Sequence, residues 1–178
     1  MRFNLRGELY RILGVDLTQV PGLNALTVHT LLAEIGPDLS AFPGGAPFAS
    51  WLGLCPDNRI SGGQILSVRT RPVRNRVALA LRQAAQSLHR SHSYLGAYYR
   101  RLRAKLAAPK AITATAHKLP RIVFHLLTTR EAYDESVFAQ QEAYFRNQTE
   151  SRLRKQARAL GFQLLPITSQ VCQPGGVP

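Results

Sequence analysis

The sequence predicts a mainly α-helical chain: a helix-hairpin-helix near its start, a short turn-rich segment, then long helices. Three observations carry that prediction. Apolar residues recur at helical spacing through most of the chain. Glycine and proline fall mostly between those stretches, with Gly96 and Pro120 the marked exceptions. Alternation suited to a strand is confined to one stretch, where Ile65, Ser67 and Arg69 interleave with Leu66, Val68 and Thr70.

Taken in order, Phe3, Leu5, Leu9, Ile12 and Leu13 lie at near-helical spacing and end at Gly14, so residues 1–14 read as a short amphipathic linker helix. A second segment, 15–130, follows as the main domain. It opens on the break Val20-Pro21-Gly22-Leu23-Asn24, after which Leu26, Val28, Leu31, Leu32 and Ile35 mark a helix stopped by Gly36-Pro37. Past Pro43-Gly44-Gly45, Phe48 to Leu54 forms a short apolar helix whose Trp51 is expected to anchor the core. Residues 57–73 are turn-rich and fit either a loop or a loose hairpin. From Arg74 to Leu106 there is no proline and no glycine but Gly96, and Val77, Leu81, Ala84 and Leu88 mark one face, which predicts a single long helix bent at most at Gly96. A further helix is expected over Ala111–Thr129, where Pro120 either kinks it or lies near its true start. A charged helix over Glu131–Leu160 fills most of 131–165, and 166–178 reads as a disordered tail. Leu31, Trp51, Leu54, Leu81, Leu88 and Leu126 are the expected core.

Charge bounds the partners. The 178 residues hold 23 Lys and Arg against 10 Asp and Glu, a formal charge of +13. Between Asp57 and Glu131 there is no carboxylate at all, while Arg59 through Arg130 supply fifteen basic side chains and four of the five histidines. A one-signed surface of that length favours a polyanion, nucleic acid above all. No apolar run long enough to span a bilayer is present, so no membrane partner is expected. Cys55 and Cys172 stand apart from each other and from any paired Cys/His spacing, which argues against a zinc site or a disulfide framework and makes Cys55 a small buried hydrophobe.

Within that field, two loops carry chemistry. Leu17 to Gly36 has the helix-hairpin-helix pattern, in which Pro21, Gly22 and Asn24 would present backbone N–H groups at a helix N-terminus to a phosphate without reading bases. A structural αα-hairpin is the plainer reading of the same residues. Ile60-Ser61-Gly62-Gly63-Gln64 offers a hydroxyl beside two bare backbone units, with Arg59, Arg69, Arg71, Arg74 and Arg76 near in sequence to neutralise a phosphorane. A turn serine is the commoner role for Ser61. Tyr94, Tyr98 and Tyr99, interleaved with Arg90, Arg100 and Arg101, fit stacking platforms for unpaired bases, and fit core contacts more often. The ten carboxylates are too scattered to converge as a two-metal site, so no metal is expected within the chain.

Several strings are also familiar as words. Asp16-Leu17-Thr18-Gln19-Val20-Pro21-Gly22, Ala33-Glu34-Ile35-Gly36, Phe48-Ala49-Ser50-Trp51-Leu52-Gly53-Leu54-Cys55-Pro56 and Ile60-Ser61-Gly62-Gly63 closely resemble the C-terminal transposase domain of the IS110/IS116 insertion-sequence family. Leu81-Arg82-Gln83-Ala84-Ala85, Leu95-Gly96-Ala97-Tyr98-Tyr99-Arg100-Arg101-Leu102 and Ala114-Thr115-Ala116-His117-Lys118-Leu119 match it too, so the likeness covers roughly residues 5–165. The resemblance implies a bacterial, cytoplasmic, nucleoid-associated recombinase guided by a structured RNA, with DNA as substrate and homo-oligomers or full-length relatives as partners. It implies Ser61 as the nucleophile that joins a DNA end as a phosphoserine. Gly62 and Gly63 match the motif's turn, Pro21-Gly22 its hairpin, and Arg69, Arg71, Arg74, Arg100 and Arg101 would hold the nucleic acid. The family's magnesium is held by an upstream RNase-H-like domain with four acidic ligands, and this sequence lacks that half. It departs further at Asn24, where glycine is usual, and at Pro120, where the family continues helix. The expectation is therefore a truncated transposase, coded within an originally longer gene and inactive alone. A non-catalytic nucleic-acid binder that interferes with full-length relatives is the alternative.

Overall fold

The computed structural model describes residues 3–67, 69–72 and 74–165. They fall into two compact units, divided between Glu135 and Ser136. The first unit is helical around one small hairpin. Helix α1 spans Leu5–Leu13, a 3₁₀ turn spans Leu17–Gln19, and α2 spans Ala25–Ile35. Helix α3 (Gly45–Trp51) leads to an antiparallel pair, β1 (Arg59–Ser61) and β2 (Gln64–Ser67), and then to α4 (Arg76–Ser87), a 3₁₀ turn (Leu88–Arg90), α5 (Tyr94–Lys105) and α6 (Ala108–Thr129).

Side-chain caps start most of these helices. Asn4 accepts from Gly7 N at 3.1 Å, Asn24 from Thr27 N at 2.8 Å, Asn75 from Val77 N at 2.8 Å and Ser93 from Gly96 N at 3.2 Å. Each satisfies a donor that the helix cannot, typically for about 1 kcal/mol. The core is built on α6, which packs against α3, α4 and α5, while α2 lies on α4. Leu119, Val123 and Leu126 of α6, Leu81 and Leu88 of the α4 region and Phe48 of α3 are all buried. A buried leucine of this kind contributes roughly 1.5–3 kcal/mol. Of the residues expected in the core, Leu31, Leu54, Leu81, Leu88 and Leu126 are there.

Trp51 is not, being 50% exposed. Helix α3 buries Phe48, Ala49 and Leu52, and at about 100° per residue Trp51 lies roughly 110° from the centre of that arc. Phe48 is the anchor instead, with the Phe42 ring 5.0 Å and the Phe124 ring 6.3 Å from its own. The single helix expected over 74–106 is also two helices, broken at residues 88–93 and not bent at Gly96. Serines make the break: Ser91 Oγ accepts from Ser93 N at 3.2 Å while Ser93 caps α5, so their hydroxyls offer the backbone an alternative to continuing the helix. Gly96 sits buried inside α5, where the incoming chain crosses close to it.

Three other expectations are refined. Helix α6 begins at Ala108 with Pro109 in its first turn, so Pro120 is interior and not near a start. Pro120 is buried against the core, which compensates for the hydrogen bond its missing N–H forgoes. Cys55 is half-buried, not buried, and Cys172 lies outside the described residues, as does the segment 166–178. The second unit carries a 3₁₀ turn (Ser136–Phe138) and α7 (Ala139–Ala159), so the charged helix starts at residue 139 and not at 131. None of the α7 residues is buried, and an Arg154–Glu150 pair at 2.6 Å lies along its surface.

Candidate nucleic-acid interface

The turn-rich segment is a hairpin, and its tip is what the dipeptide Gly62-Gly63 dictates. Both glycines have positive φ, 55° and 78°, the pair of left-handed residues that a type I′ turn needs and that matches the twist of the strands. Ser61 pairs with Gln64 to close the turn, and Ile60 pairs with Ile65, beyond which a bulge shifts the register to Arg59 against Ser67. Farther down, Asp57 N donates to Arg69 O at 2.8 Å and Pro56 bridges to Thr70. Ser61 is thus carried, exposed, at the end of a two-stranded arm, beside two glycines with open space where a side chain would stand. Ile60 and Leu66 are 63% and 67% exposed, so the arm is not packed into the core.

The arm is rooted in basic residues. Arg69, Arg71 and Arg74 are exposed at its outgoing end, where Arg71 Nη2 donates to Ser50 Oγ at 3.4 Å. Arg82 on α4 reaches the Gly53 carbonyl at 3.5 Å. Arg76 is paired with Glu34 at 3.4 Å, across from α2. Two of the three arginines of α5 behave differently from these. Arg100 Nη1 donates to the carbonyls of Ser91 at 2.6 Å and His89 at 3.3 Å, closing the corner between α4 and α5. Arg101 lies half-buried with its guanidinium 5.8 Å from the Tyr94 ring.

Of the three tyrosines, Tyr94 and Tyr99 are buried and Tyr98 is half-buried, so they serve as packing and not as an open platform. Lys118 Nζ donates to Tyr94 Oη at 2.8 Å and lies 4.5 and 4.6 Å from the Tyr94 and Tyr98 ring centroids. Burial, with Arg101 and Arg121 close by, holds the Lys118 ammonium below its usual range; burial and Arg121 do the same to His117. Burial chiefly, then Glu135, Tyr94 and Asp134, pushes the Tyr133 phenol up to about 12.

In the first loop, a three-residue 3₁₀ turn stands where a first α-helix would lead into the hairpin. Gly22 has φ 91°, and a Cβ there would fall 2.8 Å from the Ala84 carbonyl, so this glycine permits the turn to pack on α4. Pro21 is half-buried beside it. Asn24 is exposed, and its side-chain oxygen already accepts from Thr27 N and Oγ1, at 2.8 and 3.1 Å. Part of the donor set that a phosphate would use at this helix start is therefore satisfied internally. Among the described residues, no three His, Cys, Asp or Glu side chains converge to hold a metal ion, and no helix is long and apolar enough to cross a membrane.

Sequence reasoning overlooked the foot of the arm. Trp51 was given to the core and no role was read for Ser50 or Arg82, and the signal that could have drawn them out is the mismatch between Trp51 and the buried arc of its helix.

Both loops lie in the stretch that the chain shares with known proteins. Residues 16–100, which hold the Pro21-Gly22 turn, Trp51 and the whole Ser61 arm, match the family model described as Transposase IS116/IS110/IS902 family. The chain is 31% identical over 130 residues to "Putative transposase y4pF/y4sB" of Sinorhizobium fredii (strain NBRC 101917 / NGR234), an alignment covering 67% of this chain and 32% of that protein. The chain thus spans about a third of the length of the curated relative it matches. Through residues 16–100 it belongs to the IS116/IS110/IS902 transposase family.

Proposed function

We propose that this chain binds DNA, together with a structured guide RNA, and presents Ser61 as the nucleophile of a phosphodiester transfer that it completes only with a second polypeptide. The observation that carries the reading is the placement of Ser61: exposed at the tip of a Gly-Gly hairpin arm, over a stretch of chain with fifteen cations and no carboxylate. Exposed backbone at Gly62 and Gly63 lets a phosphate approach the hydroxyl closely. The arginines at the arm's root supply forked donors for phosphate oxygens.

In the step itself, the Ser61 hydroxyl gives up its proton as its Oγ–P bond forms, one backbone P–O bond breaks, and the leaving sugar oxygen takes up a proton. A serine hydroxyl needs a base, a metal or a cationic surround to be an effective nucleophile; with Ser61 at the tip of the arm and the exposed arginines at its root, that activation is assigned to the second polypeptide. The dispersed carboxylates do not suit magnesium; acidic ligands for it would come from another protein. The reading of a binder without chemistry draws on the same dispersal and on the capped helix start at Asn24.

The test is complementation. Alone, the chain is expected to bind DNA and leave it uncut. Mixed with a full-length relative whose own serine is replaced, plus guide RNA and magnesium, it is expected to form a covalent protein–DNA adduct that disappears in Ser61→Ala while binding persists. Cleavage by the isolated chain, or an adduct that survives Ser61→Ala, overturns the assignment. Binding with no adduct in any mixture leaves the non-catalytic reading.

A further inference from the structure

Trp51 is the sole tryptophan of the chain, and it ends α3 half in solvent, in a protein whose other large α3 residue, Phe48, is completely buried. Its ring is not loose. Phe42 meets it edge to face, with centroids 5.5 Å apart and planes at 61°, which fixes the indole on one side and leaves surface open on the other. Its chain neighbours are held by cations. Arg71 donates to the hydroxyl of Ser50, the residue before Trp51, and Arg82 to the carbonyl of Gly53, two residues after it.

Those contacts tie the chain on either side of a partly exposed indole to two arginines, one of them at the foot of the Ser61 arm. Arg71 belongs to the arm's outgoing strand region, next to the Pro56–Thr70 bridge, while Ser61 is at the tip. The five steps from Pro56 to Ser61 span about 16 Å at strand rise, the reach of a few nucleotides of extended chain. A half-exposed aromatic face held on one side by another ring, with arginines bonded to its chain neighbours, is the kind of arrangement that binds unpaired bases while cations track the backbone. Duplex DNA, with its bases stacked inside, has no use for such a face.

We infer that Trp51 is a stacking platform for an unpaired nucleotide, with Arg71 and Arg82 on the adjoining phosphates, and that it holds a single-stranded segment leading toward Ser61. The inference rests on the nucleic-acid reading of the chain and adds the strandedness of the ligand at this point and the residue that reads it.

Because Trp51 is the one tryptophan, its fluorescence reports on this site alone. Titration of the full chain with a ten-nucleotide single-stranded DNA, the same sequence as RNA, and the corresponding duplex separates the possibilities, with anisotropy of labelled strands reporting binding independently. The expected result is quenching of Trp51 emission by the single strands at the concentrations where anisotropy rises, and none by the duplex. Trp51→Leu is expected to weaken single-strand binding about fivefold or more and to leave duplex binding within twofold, while Trp51→Phe recovers most of the affinity. Circular dichroism of both variants checks the fold; since the ring is half outside the core, the helical signal is expected to be unchanged, and if Trp51→Leu unfolds, the quenching and Trp51→Phe arms still decide. Quenching by DNA and RNA alike assigns the site to base stacking; quenching by one alone keeps the platform and names its strand. Anisotropy binding without quenching, or full single-strand affinity in Trp51→Leu, overturns the platform and leaves the nucleic-acid reading standing. Absence of any binding by anisotropy overturns both.

Discussion

Gly22 and Gly62 share a left-handed backbone, yet the structure gives them opposite surroundings. A Cβ at Gly22 would lie 2.8 Å from the Ala84 carbonyl and 3.1 Å from the Leu88 side chain, whereas at Gly62 nothing stands within 4 Å. Both alanine variants meet a strain of about 1–2 kcal/mol for the left-handed conformation. At Gly62 the protein can escape it by opening a short exposed hairpin. At Gly22 the turn is pinned on α4, and overpacking adds about 1–3 kcal/mol. Urea denaturation is therefore expected to show a clear loss of midpoint for Gly22→Ala and little for Gly62→Ala; equal midpoints would contradict the packing role given to Gly22. Asp16 supplies a pH test at the same scale. Partial burial raises its pKa, but hydrogen bonds from Arg6, Thr18 and Gln19 more than offset that and hold it at about 2. Its folded value lies below the unfolded 3.8, so its stabilisation is full above pH ~4 and is lost as pH falls toward ~2. Asp16→Asn is expected to be less stable at neutral pH and to lose less stability than the parent between those limits. An unchanged acid limb would remove Asp16 from the account.

At the scale of elements, the corner between α4 and α5 is tightly constrained. Gly96 lies where a Cβ would stand 2.2 Å from the Ser91 carbonyl and 3.0 Å from the Leu88 carbonyl, both backbone atoms. Arg100 closes the same corner through the Ser91 and His89 carbonyls. Gly96→Ala must part α5 from the preceding turn, and a loss of about 2–3 kcal/mol or more is expected in denaturation experiments; a variant as stable as the parent would show the corner to be loose. Charge reversal at Arg100 then tests folding as much as binding, so Arg103, exposed on the same helix, is the cleaner site for a binding variant. The joint also shows what was legible in the sequence. Apolar periodicity located α1, α2, α6 and the helical content of 76–105, because burying one face fixes that spacing. It missed the break at 88–93 because Ser91 and Ser93 set the start of α5 through side-chain hydrogen bonds, a weaker signal than proline or glycine. The Ser61 turn was readable from Gly62-Gly63 alone, since few other dipeptides permit two positive φ values in succession. Trp51 was misplaced because composition favours burying tryptophan, while the true arc of α3 depends on where the helix ends.

For the whole molecule, the decisive property is how its charge is distributed. Several cations are engaged within the protein: Arg6 with Asp16, Arg76 with Glu34, Arg100 with backbone carbonyls, and Lys118 with Tyr94. Arg69, Arg74, Arg103 and Lys105 are exposed, and Arg71 is exposed with only a long contact to Ser50. If these five neutralise five phosphates of B-DNA, the slope of log K against log salt is about −4.5, at about −0.9 for each. Binding that rests on phosphates and not on base edges is also expected to vary only a few-fold among unrelated duplexes. The discriminating variant removes charge without touching the core: Arg69→Gln, Arg71→Gln and Arg74→Gln combined. It is expected to make the slope shallower by about 2.7, three phosphates' worth, and to weaken every duplex alike. Equal slopes for parent and variant would mean that the root of the arm does not touch nucleic acid, and a flat response of the parent to salt would mean that the field of positive charge is not a binding surface at all. A shallower slope with loss confined to one sequence would instead require base readout from the arm, for which the exposed Gln64 carries the amide donor and acceptor.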